Sequence, residues 1–125
     1  MKERNAEEKR ALYWLCCCPC LGAVSIRKLG SYFGCYQELI NIEETALEKA
    51  QILTPAQKKG ILQWKKEFSR CSSAYDRMGD KRIRFVTPLD LEYPQRLLEI
   101  SDYPMGLFLY GALPSDDKPS VAVVG

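Results

Sequence analysis

Along the first seventy residues the apolar positions recur at helical spacing, and after about residue 80 the period shortens to two. Ala11, Leu12, Leu15 and Cys16 share one face and predict a helix over about 7–18, ended by Pro19. A turn through Pro19, Cys20, Leu21 and Gly22 leads to a second helix near 24–33. Its stripe is Ile26, Leu29, Tyr32 and Phe33, and Gly34 is its stop. Segments 35–40 and 43–50 predict short third and fourth helices. The next start is the clearest. Thr54 suits an N-cap and Pro55 the first helical position, while Ile61, Trp64 and Phe68, widened by Leu62, form the apolar face of a helix over 55–70.

Ser72, Ser73, Gly79 and Asp80 make 71–80 a fraying helix end or a linker. Then Ile83, Phe85 and Thr87 alternate with Arg82, Arg84 and Val86 in a short strand that Pro88 ends. Tyr93 and Pro94 open a helical turn carrying Leu97, Leu98 and Ile100, and Pro104 closes it. Residues 107–110 predict a second strand, 111–119 a polar loop, and Val121, Ala122, Val123 and Val124 a third strand ending on Gly125. A β-branched apolar run followed by glycine is how a parallel sheet delivers a strand to a ligand crevice. The chain is therefore expected to carry the approach to a site, without the loop that would follow Gly125. The expected architecture is an all-helical N-terminal domain over 1–75, then the truncated beginning of a Rossmann-like α/β domain over 76–125.

Composition narrows the classes. A chain of 125 residues, 46% hydrophobic and 27% charged, buries one ordinary core or two small ones and reads as soluble and globular. No apolar run approaches the ~20 residues of a membrane span. The charge-dense residues 1–10 are no signal peptide, so the cytoplasm is the expected compartment. Histidine is absent, which excludes Ser-His-Asp and Cys-His nucleophiles and all histidine metal ligands.

Six cysteines, Cys16, Cys17, Cys18, Cys20, Cys35 and Cys71, include one C-x-x-C, but no second pair completes a zinc set. The residues before that pair predict a helix rather than the strand of a thioredoxin-like site. The cysteines are expected to pack as small buried hydrophobes.

The net charge of +2 argues little by itself, but its distribution does more. Lys58, Lys59, Lys65, Lys66 and Arg70 stand against Glu67 alone in 58–70. Seven-residue spacing puts Lys58 with Lys65 and Lys59 with Lys66, giving either a DNA-facing basic surface or a solvated helix face. The turn at Gly22 poses a parallel choice. A helix-hairpin-helix presents backbone N–H groups to phosphate beside a helix N-terminus, with Arg27 and Lys28 in reach. Cys20, however, stands where the earlier hairpin glycine would be, and its Cβ makes positive φ costly. The other reading is a turn used for packing or protein contact, as in sterile-alpha-motif-like domains.

From Asp90 the chain runs Asp90-x-x-Tyr93-Pro94-x-x-Leu97-x-x-Ile100-x-Asp102-x-Pro104-x-x-Leu107-x-x-x-Gly111, then Val121 to Gly125. With the strand at 83–87 before it, this resembles the bacterial DNA-processing protein A family (DprA, or Smf), over roughly 11–125 and most densely 83–125. The resemblance implies a non-enzymatic protein of natural transformation that needs no cofactor. It implies that the family's Rossmann-like domain binds single-stranded DNA, dimerises and hands the strand to a RecA-type recombinase. Of the family's Gly-(Ser/Thr)-Arg pocket segment only Gly125 lies within this sequence, and Tyr93 and Pro94 are expected to be structural. The DNA-contact candidates are Gly22, Arg27, Lys28, Lys58, Lys59, Lys65, Lys66 and Gly125. The competing readings are a helical protein-interaction module and part of a Rossmann-like nucleotide-binding enzyme of the lysine-decarboxylase type. Weak sensitivity of binding to salt would mark the first, and a Gly-Gly-rich loop after Gly125 the second.

Overall fold

The structure is a computed structural model that describes residues 2–110, with side chains from Ala6 onward. The loop at 111–119, the strand expected at 121–124 and Gly125 lie outside the described residues. Helix α1 spans Lys2–Cys16, starting before its apolar stripe and ending ahead of Pro19, which disfavours helical backbone in the residue before it. Helix α2 (Ala23–Phe33) ends as expected at Gly34, whose φ of 80° lets its N–H close on the Gly30 carbonyl at 2.8 Å. The third predicted helix is a 3-10 turn, Gln37–Asn41, and the fourth is the short α3, Glu44–Lys49. Helix α4 (Pro55–Trp64) opens on a complete capping box. Thr54 Oγ1 accepts from Gln57 N, and Gln57 Oε1 accepts from Thr54 N, each at 3.1 Å.

The single helix expected over 55–70 is in fact two, joined by the 3-10 turn Lys65–Glu67. The break has a tertiary cause. The Trp14 indole N–H donates to the Trp64 carbonyl at 2.9 Å, and the Trp64 indole N–H returns a bond to the Trp14 carbonyl at 2.7 Å. With the Trp64 carbonyl engaged, the Phe68 N–H closes on Lys65 instead. The exchange also satisfies end-of-helix carbonyls of α1 and α4 that lack helical partners.

Residues 71–80 are neither frayed nor a linker. They belong to α5, Phe68–Asp80, which sets Phe68, Cys71, Tyr75 and Met78 along one face and packs on α1. Arg10 of α1 fastens this contact, donating to Ser72 Oγ at 2.9 Å and pairing with Asp76 at 2.8 Å. The position 75/76 falls within α5.

Helix α1 forms the centre of the core. Ala11, Leu12, Trp14 and Leu15 are fully buried among Ile26, Leu29, Leu39, Leu47, Ile61 and Cys71, in one cluster that extends to Met105. Each leucine and isoleucine among them contributes roughly 1.5–3 kcal/mol on burial. Gly60 and Gly30 stand inside helices where alanine is normally better. A Cβ on Gly60 would lie 2.4 Å from Cys20 Sγ, and one on Gly30 2.4 Å from the Tyr36 hydroxyl.

Strand β1 (Ile83–Val86) pairs antiparallel with β2 (Leu107–Tyr110), Ile83 opposite Tyr110 and Phe85 opposite Phe108. The helical turn between them is one 3-10 turn, Gln95–Glu99, too short to serve as the crossover helix a parallel return usually needs. The described residues thus form an α+β arrangement, many helices with one two-stranded sheet. The sheet leans on α1 and α5 through aromatic rings. Tyr13 meets Phe85 edge-on at 5.4 Å and Phe108 at 6.0 Å, and Tyr75 meets Phe85 at 6.2 Å. Val86, on the opposite face, is buried too, so the alternation expected of β1 holds only at Arg84.

Candidate nucleic-acid interface

Pro88 stops β1, and the turn that follows is built by Asp90. Its Oδ2 accepts from Thr87 N at 2.8 Å and from Thr87 Oγ1 at 3.2 Å, and Lys9 of α1 pairs with the same oxygen at 3.2 Å. Thr87 is fully buried, and its Oγ1 also accepts from Leu89 N, so the turn leaves its polar atoms satisfied. Two residues after Leu91 comes Tyr93, also buried, whose hydroxyl donates to the Pro104 carbonyl at 2.6 Å. Burial pushes the Tyr93 phenol above its ordinary pKa, which keeps it a neutral donor. Asp90 and Tyr93 therefore frame the segment between the strands.

The basic candidates fall into separate places. Gly22 is the N-cap of α2 with φ −99° and ψ 179°, extended backbone, and a Cβ there would meet nothing. Among the described residues only Gly34 and Arg82 have positive φ, so the Cys20–Gly22 turn is made without a left-handed residue. Arg27 lies with its guanidinium 4.4 Å over the Tyr103 ring and donates to the Ser101 carbonyl, tying α2 to the segment before β2. Lys28, beside it, is exposed.

Lys58 donates to the Glu48 carbonyl at 3.2 Å and Lys65 to the Ile42 carbonyl at 2.6 Å. Lys58 and Lys59 border a hollow of about 530 Å³ between α3 and α4, which they share with Glu44 and Glu48. Lys66 borders a different hollow, with Cys18, Cys20 and Gly60. Lys59 and Lys66 thus border different hollows, on either side of the start of the 3-10 turn. Gly125 lies outside the described residues. Sequence reasoning passed over a third basic group, Arg77, Lys81 and Arg82 at the junction of α5 and β1. Its signal was present as adjacent cations at the change of period.

The cysteines cluster where α1 ends. Cys18 and Cys20 bring their sulfurs to 3.3 Å, Cys71 lies against Cys17, and all six are free thiols. Burial pushes the Cys16 and Cys18 thiols up to about 12, and it raises Cys71 as well. Thiols held protonated in this way are poor nucleophiles and poor metal ligands. Among the described residues no group of cysteine and carboxylate side chains has the arrangement to hold a metal ion. Cys18 and Cys71 instead belong to the core, with Cys16, Cys17 and Cys20 packed against it.

The described residues thus combine an antiparallel strand pair, a buried Tyr93 with half-buried Pro94 beside it, and a helical support. Residues 84–125 match the family described as DNA recombination-mediator protein A. The match covers the stretch where the motif residues are densest, and this stretch is similar to that family. The family's description is that of proteins that mediate DNA recombination. No curated protein and no solved structure matches the chain. Among the described residues, no helix is long and apolar enough to cross a membrane.

Proposed function

We propose that this protein binds single-stranded DNA as a recombination mediator and assists the loading of a RecA-type recombinase. The observation that carries the reading is the family match at 84–125, on a segment that Asp90 and Tyr93 frame through hydrogen bonds. The same match favours DNA processing over a nucleotide-binding enzyme. The proposal includes a helical unit over 1–75 and a Rossmann-like unit over 76–125, with α5 running across their boundary, self-association through the latter, and Gly125 as the start of a phosphate-binding loop. Binding is electrostatic, with Lys and Arg tracking phosphates and little preference for sequence.

The test is fluorescence anisotropy of labelled oligothymidine with the full chain across a salt series. Weak binding whose log K falls linearly with log salt is the expected result. Undetectable binding at low salt would overturn the reading, and so would a complex indifferent to salt. Either outcome would favour the helical region as a protein-interaction module.

A further inference from the structure

The junction of α5 and β1 gathers cations that the rest of the fold leaves unengaged. Arg77, in the last turn of α5, and Lys81 and Arg82 after it are exposed, and among the described residues none of the three is in an ion pair. Asp80 is the opposing charge between them, since Asp76 is held by Arg10. The contrast is with Lys58 and Lys65, which are spent on backbone carbonyls.

Arg82 occupies its place under strain. Its φ of 59° is left-handed, and its N–H closes on the Gly79 carbonyl at 3.2 Å to finish α5. Glycine takes that backbone without cost, whereas a residue with a Cβ does not.

Aromatic surface lies across the strand pair from the residue that follows Arg82. Ile83, the next residue, pairs with Tyr110, and strand alternation puts Tyr110 on the same face as Phe108. Tyr13 covers the inner part of that face, but Phe108 is still 57% exposed and Tyr110 80% exposed. Unpaired cations and open aromatic rings are the two elements by which proteins hold single strands without reading sequence.

We propose that this junction is a contact for a single-stranded polynucleotide, with Arg77, Lys81 and Arg82 on phosphates and Tyr110 as a stacking platform for a base. The inference rests on the single-strand reading above and locates it on a surface that includes none of the four lysines.

The Arg82→Gly variant separates binding from folding, because it removes a charge while relieving the backbone. With the full chain and labelled oligothymidine, Arg82→Gly should raise Tm yet weaken binding, and lower the salt slope by about 0.7 for one lost phosphate contact. Tyr110→Ala should weaken binding by roughly five- to a hundredfold, the worth of one base stack, and leave the salt slope unchanged. If the unmutated chain binds and the variants bind equally well, this surface is the wrong one and the single-strand reading survives. If Tyr110→Ala changes sedimentation and not affinity, the face belongs to a protein contact and the inference falls. If the unmutated chain fails to bind at low salt, the single-strand reading itself fails and takes this contact with it.

Discussion

In α1, Leu12, Trp14 and Leu15 are fully buried, whereas between β1 and β2 the side chains of Leu89, Leu91, Leu98 and Ile100 remain exposed, as do Phe108 and Tyr110 on β2 itself. The two regions are similarly apolar in sequence and differ in how they can bury what they carry. Five helices close on each other from several sides. A two-stranded sheet is marginal alone and covers little, so its burial comes from Tyr13 and Tyr75 of the helices and from the Thr87–Asp90–Lys9 tie to α1. The lesson is one of dependence: the strand segment is ordered by the helices, and the helices draw mainly on their own core.

The widest separation between the regions should appear on truncating one apolar side chain in each. Trp14→Ala should cost about 3–5 kcal/mol, since it empties the centre of the core and frees the Trp64 carbonyl. Leu91→Ala, at a fully exposed position, should stay within about 0.5 kcal/mol. Denaturant unfolding of both variants measures this, and equal losses would break the comparison.

Alkaline pH should load the helical region next. Burial raises the Cys16 and Cys18 thiols, and the Tyr13 phenol, to about 12 in the folded chain. Their neutral forms are thus favoured by folding. That stability is fully present below the unfolded thiol value of about 8.5 and is lost as pH climbs towards 12. Tm measured across this range should fall, and Cys16→Ala and Cys18→Ala should each flatten the fall. A flat wild-type profile would show that the thiols are not held neutral.

A smaller effect tests the frame of the strand region. Tyr93→Phe leaves the Pro104 carbonyl without its donor and should cost about 1–3 kcal/mol. Hydrogen exchange should quicken in Leu107–Tyr110 and stay unchanged at Ile61. Uniform acceleration would mean the regions unfold as one. The smallest expected effect is local to α4. Thr54→Ala removes half of the capping box and should cost about 1 kcal/mol, read as a shift of the denaturation midpoint.

Signals that act within a few residues were legible in advance. Thr54 and Pro55 set the start of α4, Gly34 the end of α2, and Pro88 the end of β1, because capping, positive φ and a missing N–H work through adjacent backbone. The helical character of 71–80 was also written in the spacing of Phe68, Cys71, Tyr75 and Met78. There the Ser and Gly residues suggested a linker, but packing on α1 outweighed their weak propensity. Of the candidate site, the sequence showed which residues are basic and not which are engaged. Arg27 lies on Tyr103 and Lys65 on the Ile42 carbonyl, contacts made across 76 and 23 positions of chain.

By itself, then, the sequence determined the helical character of the first seventy residues, the starts or stops at Gly34, Thr54 and Pro88, the two described strands, the absence of histidine and the motif that the family match covers. Tertiary structure alone decided that the helix over 55–70 breaks at Trp64, that β2 returns antiparallel, and that Lys58 and Lys65 are drawn to backbone carbonyls. The reason is physical. A carbonyl taken by a distant indole, a strand edge met by its partner and a lysine drawn to a remote backbone oxygen all depend on groups far along the chain, and periodicity within one segment carries no record of them.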